Sequence, residues 1–128
     1  QYYIKKKSEN RYEKTKLKKI QYTKQNNYKK NMQEIIDFIN KNTKCKKIFL
    51  VNIAHPTKML IEKNFDIENI INEYNNILNN FKNEKIEIIN LNSYTKQNPE
   101  GLLVDEHISI KSHNFIVKSF FNSTDKKK

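Results

Sequence analysis

Apolar residues recur along this chain in two periods, and the first third carries almost none of them. Tyr28, Met32, Ile35, Ile36 and Ile39 follow a 4-3-1-3 spacing that places all five on one helical face. Asn26 or Asn27 is positioned to cap the start of that helix, and the polar run 40–43 ends it. Residues 48–53 (Ile-Phe-Leu-Val-Asn-Ile) are short, β-branched and nearly continuous in apolarity, which predicts a strand buried on both faces. His55-Pro56 stops it, because proline has no N–H to give to a ladder. Asp66 reads as the cap of a second helix over about 67–82, with Ile67, Ile70, Ile71, Tyr74, Ile77, Leu78 and Phe81 on its buried stripe. Residues 86–91 predict a second strand, and residues 92–100 a polar loop. Ser109 reads as the cap of a last helix over about 110–122, with Phe115, Ile116, Phe120 and Ile110 as candidates for its inner face.

Helix, strand, helix, strand, helix with buried strands is an α/β pattern, and 48–91 reads as a right-handed βαβ crossover. Two parallel strands do not make a stable sheet alone, so further strands are expected N-terminal to this sequence. Gln at position 1 and a first methionine only at Met32 fit the same expectation.

Composition separates a basic part from a folding part. The chain has 128 residues and a net charge of +11. Residues 1–47 hold 15 Lys/Arg against 4 Asp/Glu, whereas 48–125 hold 7 against 10. Ile, Leu, Val and Phe fill only 3 of the first 33 positions but 32 of the remaining 95, so only the latter stretch can support a core. The expected division is therefore a basic Lys/Tyr-rich loop or disordered segment at 1–27, a folded unit at 28–122, and a basic tail at 123–128. Twenty-four of the 25 cations are lysine, and Lys, Asn and Ile together make up 62 residues, so compositional bias supplies part of the charge.

Several chemistries are excluded at once. A single glycine, Gly101, rules out the dinucleotide fingerprint, the phosphate-cradling P-loop and the Gly-flanked nucleophile elbow. A single cysteine, Cys45, rules out an internal disulfide framework and a Cys-rich zinc site, and its place before a buried strand suits an inert thiol. No run approaches the length of a membrane-crossing helix, no targeting signal is visible, and no cofactor is implied.

In a doubly wound sheet, ligands bind outside the carboxyl ends of the strands, which here means 52–56 and 92–107. The second stretch holds Asp105 and His107 two residues apart on a loop that enters a helix, followed by His113. A carboxylate bonded to one ring nitrogen fixes the tautomer, and the other nitrogen can then take a proton from a hydroxyl. The plainer readings are a helix-capping His107, exposed loop charges at Asp105 and Glu106, a surface His113, and a turn residue at His55.

The segment Asp105-Glu106-His107-Ile108-Ser109, followed by His113 and an amphipathic terminal helix, resembles the last block of SGNH (GDSL-type) hydrolases. The strand 48–53 with its His-Pro exit, Tyr74-Asn75 with Leu78 on the following helix, and the strand 86–91 stand in the order that family shows. The resemblance covers about 28–122, the C-terminal half of such a domain. It implies a flavodoxin-like three-layer α/β/α fold and hydrolysis of small-molecule or glycan acyl esters by a Ser-His-Asp triad. The family's catalytic His falls on His107. Its acid would fall on Val104, whereas the acid present is Asp105, and the family's glycine after the block is replaced by Ser112. The nucleophile and the oxyanion donors have no counterpart, so the fragment alone is expected to be inactive and to need its N-terminal half.

A reading of another class uses 1–30 as a module for nucleic acid or an anionic surface, with lysines on phosphates and Tyr12 or Tyr22 stacked on bases. Near-absence of Arg and of any RNA-binding motif weighs against it.

Overall fold

A computed structural model describes residues 2–18 and 23–125, with 2–9 as backbone only. The order of elements is α1 (Tyr2–Leu17), α2 (Gln25–Asn42), β1 (Ile48–Val51), α3 (Lys58–Lys63), α4 (Ile67–Asn79), β2 (Ile86–Ile89), α5 (Leu91–Gln97), a 3₁₀ turn (Pro99–Gly101) and α6 (Ile110–Asp125). β1 and β2 pair in parallel, Ile48 opposite Ile86 and Val51 opposite Ile89, and α3 and α4 make the connection between them. The chain is therefore α/β with a two-stranded parallel sheet among the described residues.

Helices lie on both faces of that sheet. Ile48 and Ile86 share one face, where Ile36 of α2 completes a buried cluster joined by Ile39, Leu50 and Phe81. Helix α4 runs beside α2, with the Tyr28 and Tyr74 rings edge to face at 5.1 Å. Burial raises the pKa of both phenols, and Tyr74 donates its hydroxyl to the Thr23 carbonyl. On the other face, α6 sets Phe120 against Phe49 at 4.8 Å, and Ser123 donates to Glu87.

β1 is only half enclosed. Ile48 N–H donates to Lys85 O and Asn52 N–H to Ile89 O, so the alternate residues Phe49 and Val51 turn their backbone groups to the outer edge. No backbone partner meets them there among the described residues. Val51 is 40% exposed, so the strand is not buried on both faces as its apolarity suggested. It also ends at Val51, and β2 at Ile89.

Other local expectations change for physical reasons. The segment expected to be loop or disordered contains α1, which docks on the α3–α4 corner. Arg11 donates to Asn64 at 3.0 Å, Phe65 N–H donates to Thr15 Oγ1 at 2.8 Å, and Tyr12 meets the Phe65 ring edge to face. Ile20, Tyr22 and the 126–128 tail lie outside the described residues. The expected loop after β2 is largely helix α5, started by Asn90, whose side chain accepts from Ser93 N–H. Asp66 precedes α4 in a left-handed conformation (φ 60°) and does not cap its backbone with its carboxylate. Ser109 precedes α6 and its carbonyl accepts from His113 N–H, but its buried hydroxyl finds no partner among the described residues. Ile35 and Ile110, expected inward, are 52% and 76% exposed.

Candidate active site

An asparagine follows each strand, Asn52 after β1 and Asn90 after β2, and side-chain amides tie the two exits together. Asn52 donates to Asn90 Oδ1 at 2.9 Å and accepts from Asn92 N–H at 2.8 Å. Asn75, on the inner stripe of α4, bonds both backbone groups of Ile53. Asn52 and Asn75 are 5% and 6% exposed, and an unpaired amide so buried would cost about 1–3 kcal/mol, so this lattice fixes where the two exits lie.

The second exit leads through α5 and the 3₁₀ turn into a narrow loop. Leu102 and Ile108 form an antiparallel bridge, and Leu103 N–H donates to the His107 carbonyl at 2.8 Å. Its base is anchored at Gly101. The Gly101 carbonyl accepts from Ser109 N–H at 2.8 Å and from the Ser112 hydroxyl at 2.6 Å. Ser112 is fully buried, and its hydroxyl is committed to that carbonyl.

The tip of this loop brings Asp105 and His107 together. Asp105 Oδ2 lies 3.0 Å from His107 Nδ1, and Asp105 Oδ1 accepts the His107 backbone N–H at 3.3 Å. That backbone bond, followed by the ring contact, lowers the Asp105 pKa. Nε2 of His107 makes no hydrogen bond or ion pair among the described residues, and the pair is open to solvent, 80% exposed at His107 and 66% at Asp105. A carboxylate on Nδ1 and a free Nε2 suit a general base, and such an exposed pair adds little to stability.

Glu106 turns away from this pair. Its left-handed backbone (φ 69°) sends the carboxylate to Thr57, which donates through both its hydroxyl and its N–H. Thr57 in turn caps α3 by accepting from Leu60 N–H. The loop bearing His107 is thereby fastened to the exit of β1. His113 is exposed on α6, away from any cluster of metal-ligating groups among the described residues. Cys45 is half-buried, and its thiol contacts the Lys47 carbonyl.

A second histidine–carboxylate pair lies at the first exit, where only His55 was considered from the sequence. His55 Nε2 is 3.0 Å from Glu68 Oε1, and the His55 side chain is 20% exposed. His55 N–H donates to Thr95 Oγ1, which binds the exit of β1 to α5. The cue available in the sequence was a histidine immediately after a buried strand. Its partner lies 13 positions on, with no spacing rule to connect them.

Of the base-stacking candidates, Tyr12 is engaged by Phe65, and the only arginine is spent on Asn64. Among the described residues no helix is long and apolar enough to cross a membrane. No protein-family model matches the chain, and neither a curated protein nor a solved structure matches it.

Proposed function

We propose that this chain is the C-terminal part of an SGNH-type ester hydrolase, with His107 as general base and Asp105 as the carboxylate that orients it. The observation that carries the reading is the Asp105–His107 contact. At a spacing of two residues the carboxylate still reaches Nδ1 and leaves Nε2 free on the strand-exit side of a parallel α/β sheet. In this reading the serine and the oxyanion donors come from a preceding segment of the same domain, and the substrate is a small-molecule or glycan acyl ester.

The finer architecture, a flavodoxin-like three-layer α/β/α sandwich, belongs to the same proposal. It is supported by the open edge of β1 and by apolar side chains left exposed on both helical layers. These are Ile35 and Phe38 on α2, and Val117 and Phe121 on α6. Further parallel strands with their helices would cover such surfaces.

Hydrolysis of a small activated ester, measured on the protein extended in frame upstream, tests the reading. His107→Ala removes nearly all turnover. Asp105→Asn lowers it by about 10⁴, because asparagine can keep the loop's turn but cannot stabilise an imidazolium. Full activity in both variants would refute the assignment. Glu106→Gln, which acts on Thr57, leaves turnover near wild type.

A further inference from the structure

One residue, Glu106, separates Asp105 from His107, and its backbone is the only left-handed one on the loop. Its φ of 69° lies where an L side chain crowds the backbone and where glycine or asparagine is the usual occupant. That angle matters to both neighbours. Asp105 Oδ1 accepts the His107 N–H across Glu106, a side-chain turn in which Glu106 stands where turn types II and I′ have a residue of positive φ. At negative φ, Glu106 would send the His107 N–H and ring on a different course from the carboxylate.

Two sets of bonds hold the angle. Glu106 N–H donates to the Leu103 carbonyl at 3.0 Å and Leu103 N–H to the His107 carbonyl at 2.8 Å, so the tip closes on itself. The second set comes from outside the loop. The Glu106 carboxylate accepts the Thr57 N–H at 3.3 Å and the Thr57 hydroxyl, and Thr57 is itself fixed by capping α3. Val104, Asp105 and His107 are exposed, whereas Glu106 is half-buried. Within 104–107, and among the described residues, only the Glu106 side chain hydrogen-bonds to another element.

We propose that Glu106 is the positioning residue of the Asp105–His107 pair: its grip on Thr57 holds the left-handed backbone that sets the carboxylate against Nδ1. The use made of the pair rests on the hydrolase reading, but the positioning is measured without turnover.

Carboxyl-carbon NMR titration of Asp105 in this chain, with the His107 amide signal as a second probe, tests it. The His107 backbone N–H, then its ring, holds the Asp105 pKa below its ordinary 3.8. In Glu106→Ala the Asp105 titration moves up toward that value and the His107 amide no longer follows it. The α3 signals stay in place, because Thr57 still caps Leu60. Glu106→Gln keeps an oxygen for the Thr57 hydroxyl and titrates as the unaltered chain does, while Glu106→Asp, one methylene short, behaves as Glu106→Ala. In the protein extended upstream, Glu106→Ala lowers kcat by about 10²-fold with KM unchanged. The proposal is overturned if Asp105 titrates alike in Glu106→Ala and the unaltered chain, if Glu106→Gln shifts as far as Glu106→Ala, or if α3 melts along with the shift. Absence of ester hydrolysis in the extended protein, with the Asp105 shifts as expected, would sink the hydrolase reading and leave the positioning role standing.

Discussion

Asn75 holds Ile53 with both ends of its side-chain amide. Ile53 N–H donates to Asn75 Oδ1 at 2.8 Å, and Asn75 Nδ2 donates to the Ile53 carbonyl at 2.9 Å. A buried polar side chain thus does for the second residue after β1 what another strand would have done, at the point where the chain turns toward His55.

Removing that amide strands the Ile53 N–H, while the Ile53 carbonyl keeps a bond from Asn92 Nδ2 at 3.0 Å. Asn75→Ala is expected to destabilise the fold by about 1–3 kcal/mol, chiefly from the acceptor lost to the Ile53 N–H at a site 6% exposed. Urea unfolding followed by circular dichroism measures it. A loss below the cost of one surface hydrogen bond would mean that water replaces the amide.

Gly101 is needed for space rather than for a special backbone angle, since no glycine here has positive φ. A Cβ at this position would lie 2.8 Å from Ser112 Oγ and 3.0 Å from Thr95 Cγ2. Gly101→Ala should therefore cost about 1–3 kcal/mol. Combining it with Ser112→Gly should recover part of that loss, which makes a double-mutant cycle the informative measurement. Strict additivity of the two losses would show that the crowding lies elsewhere.

Acid should loosen α6 from the sheet. The hydrogen bond from Ser123, then that from Lys47, lowers the Glu87 pKa from its ordinary 4.5. A carboxyl group depressed in the folded state stabilises it above the unfolded pKa, and that contribution disappears as pH falls through the lower folded value. Unfolding free energies compared between pH 6 and pH 3 should thus fall less steeply in Glu87→Gln than in the unaltered chain. Equal slopes would remove Glu87 from the acid response.

The Thr15 hydroxyl is the buried member of the three contacts that hold helix α1 to the rest of the fold, beside Arg11 on Asn64 and Tyr12 on Phe65. Thr15 is 3% exposed, donates to the Tyr12 carbonyl and accepts from Phe65 N–H. Thr15→Val keeps the shape and leaves the Phe65 N–H without its acceptor, a loss of about 1–3 kcal/mol. Trypsin should then cut at Lys14, Lys16 and Lys18 faster than in the unaltered chain, while cleavage at Lys111 should keep its rate.

The parts legible in the sequence are those written in long apolar periods. Helices α2 and α4 and the parallel pairing of β1 with β2 follow from stripes and runs that few other structures could bury. Helix α1 has no such stripe; it is held by Arg11, Thr15 and Tyr12 against partners about fifty positions away. Helix α5 reads as polar loop because its defining features are an asparagine cap and Thr95 donating back to Leu91. Asn75 was hidden inside an apolar stripe, since periodicity registers only the hydrophobic members of a face. The Asp105–His107 contact was legible because two residues of spacing nearly dictate it, whereas the pairing of His55 with Glu68 required the whole crossover to form.

The open edge of β1 also bears on the chain's behaviour at high concentration. Along the apolar strand 48–51, Phe49 and Val51 offer backbone groups with no backbone partner among the described residues, the geometry that templates edge-to-edge aggregation. Immediately before it stand Lys44, Lys46 and Lys47, of which, among the described residues, only Lys47 is drawn into an ion pair, with Glu87 at 3.0 Å. Those lysines act as gatekeepers by bringing like charges together whenever two such edges approach. Their protection is electrostatic, so it weakens as salt shortens the Debye length from ~10 Å at 0.1 M to ~3 Å at 1 M. The basic stretch ahead of β1 is thus expected to keep the chain dispersed, and concentrated salt to take that protection away.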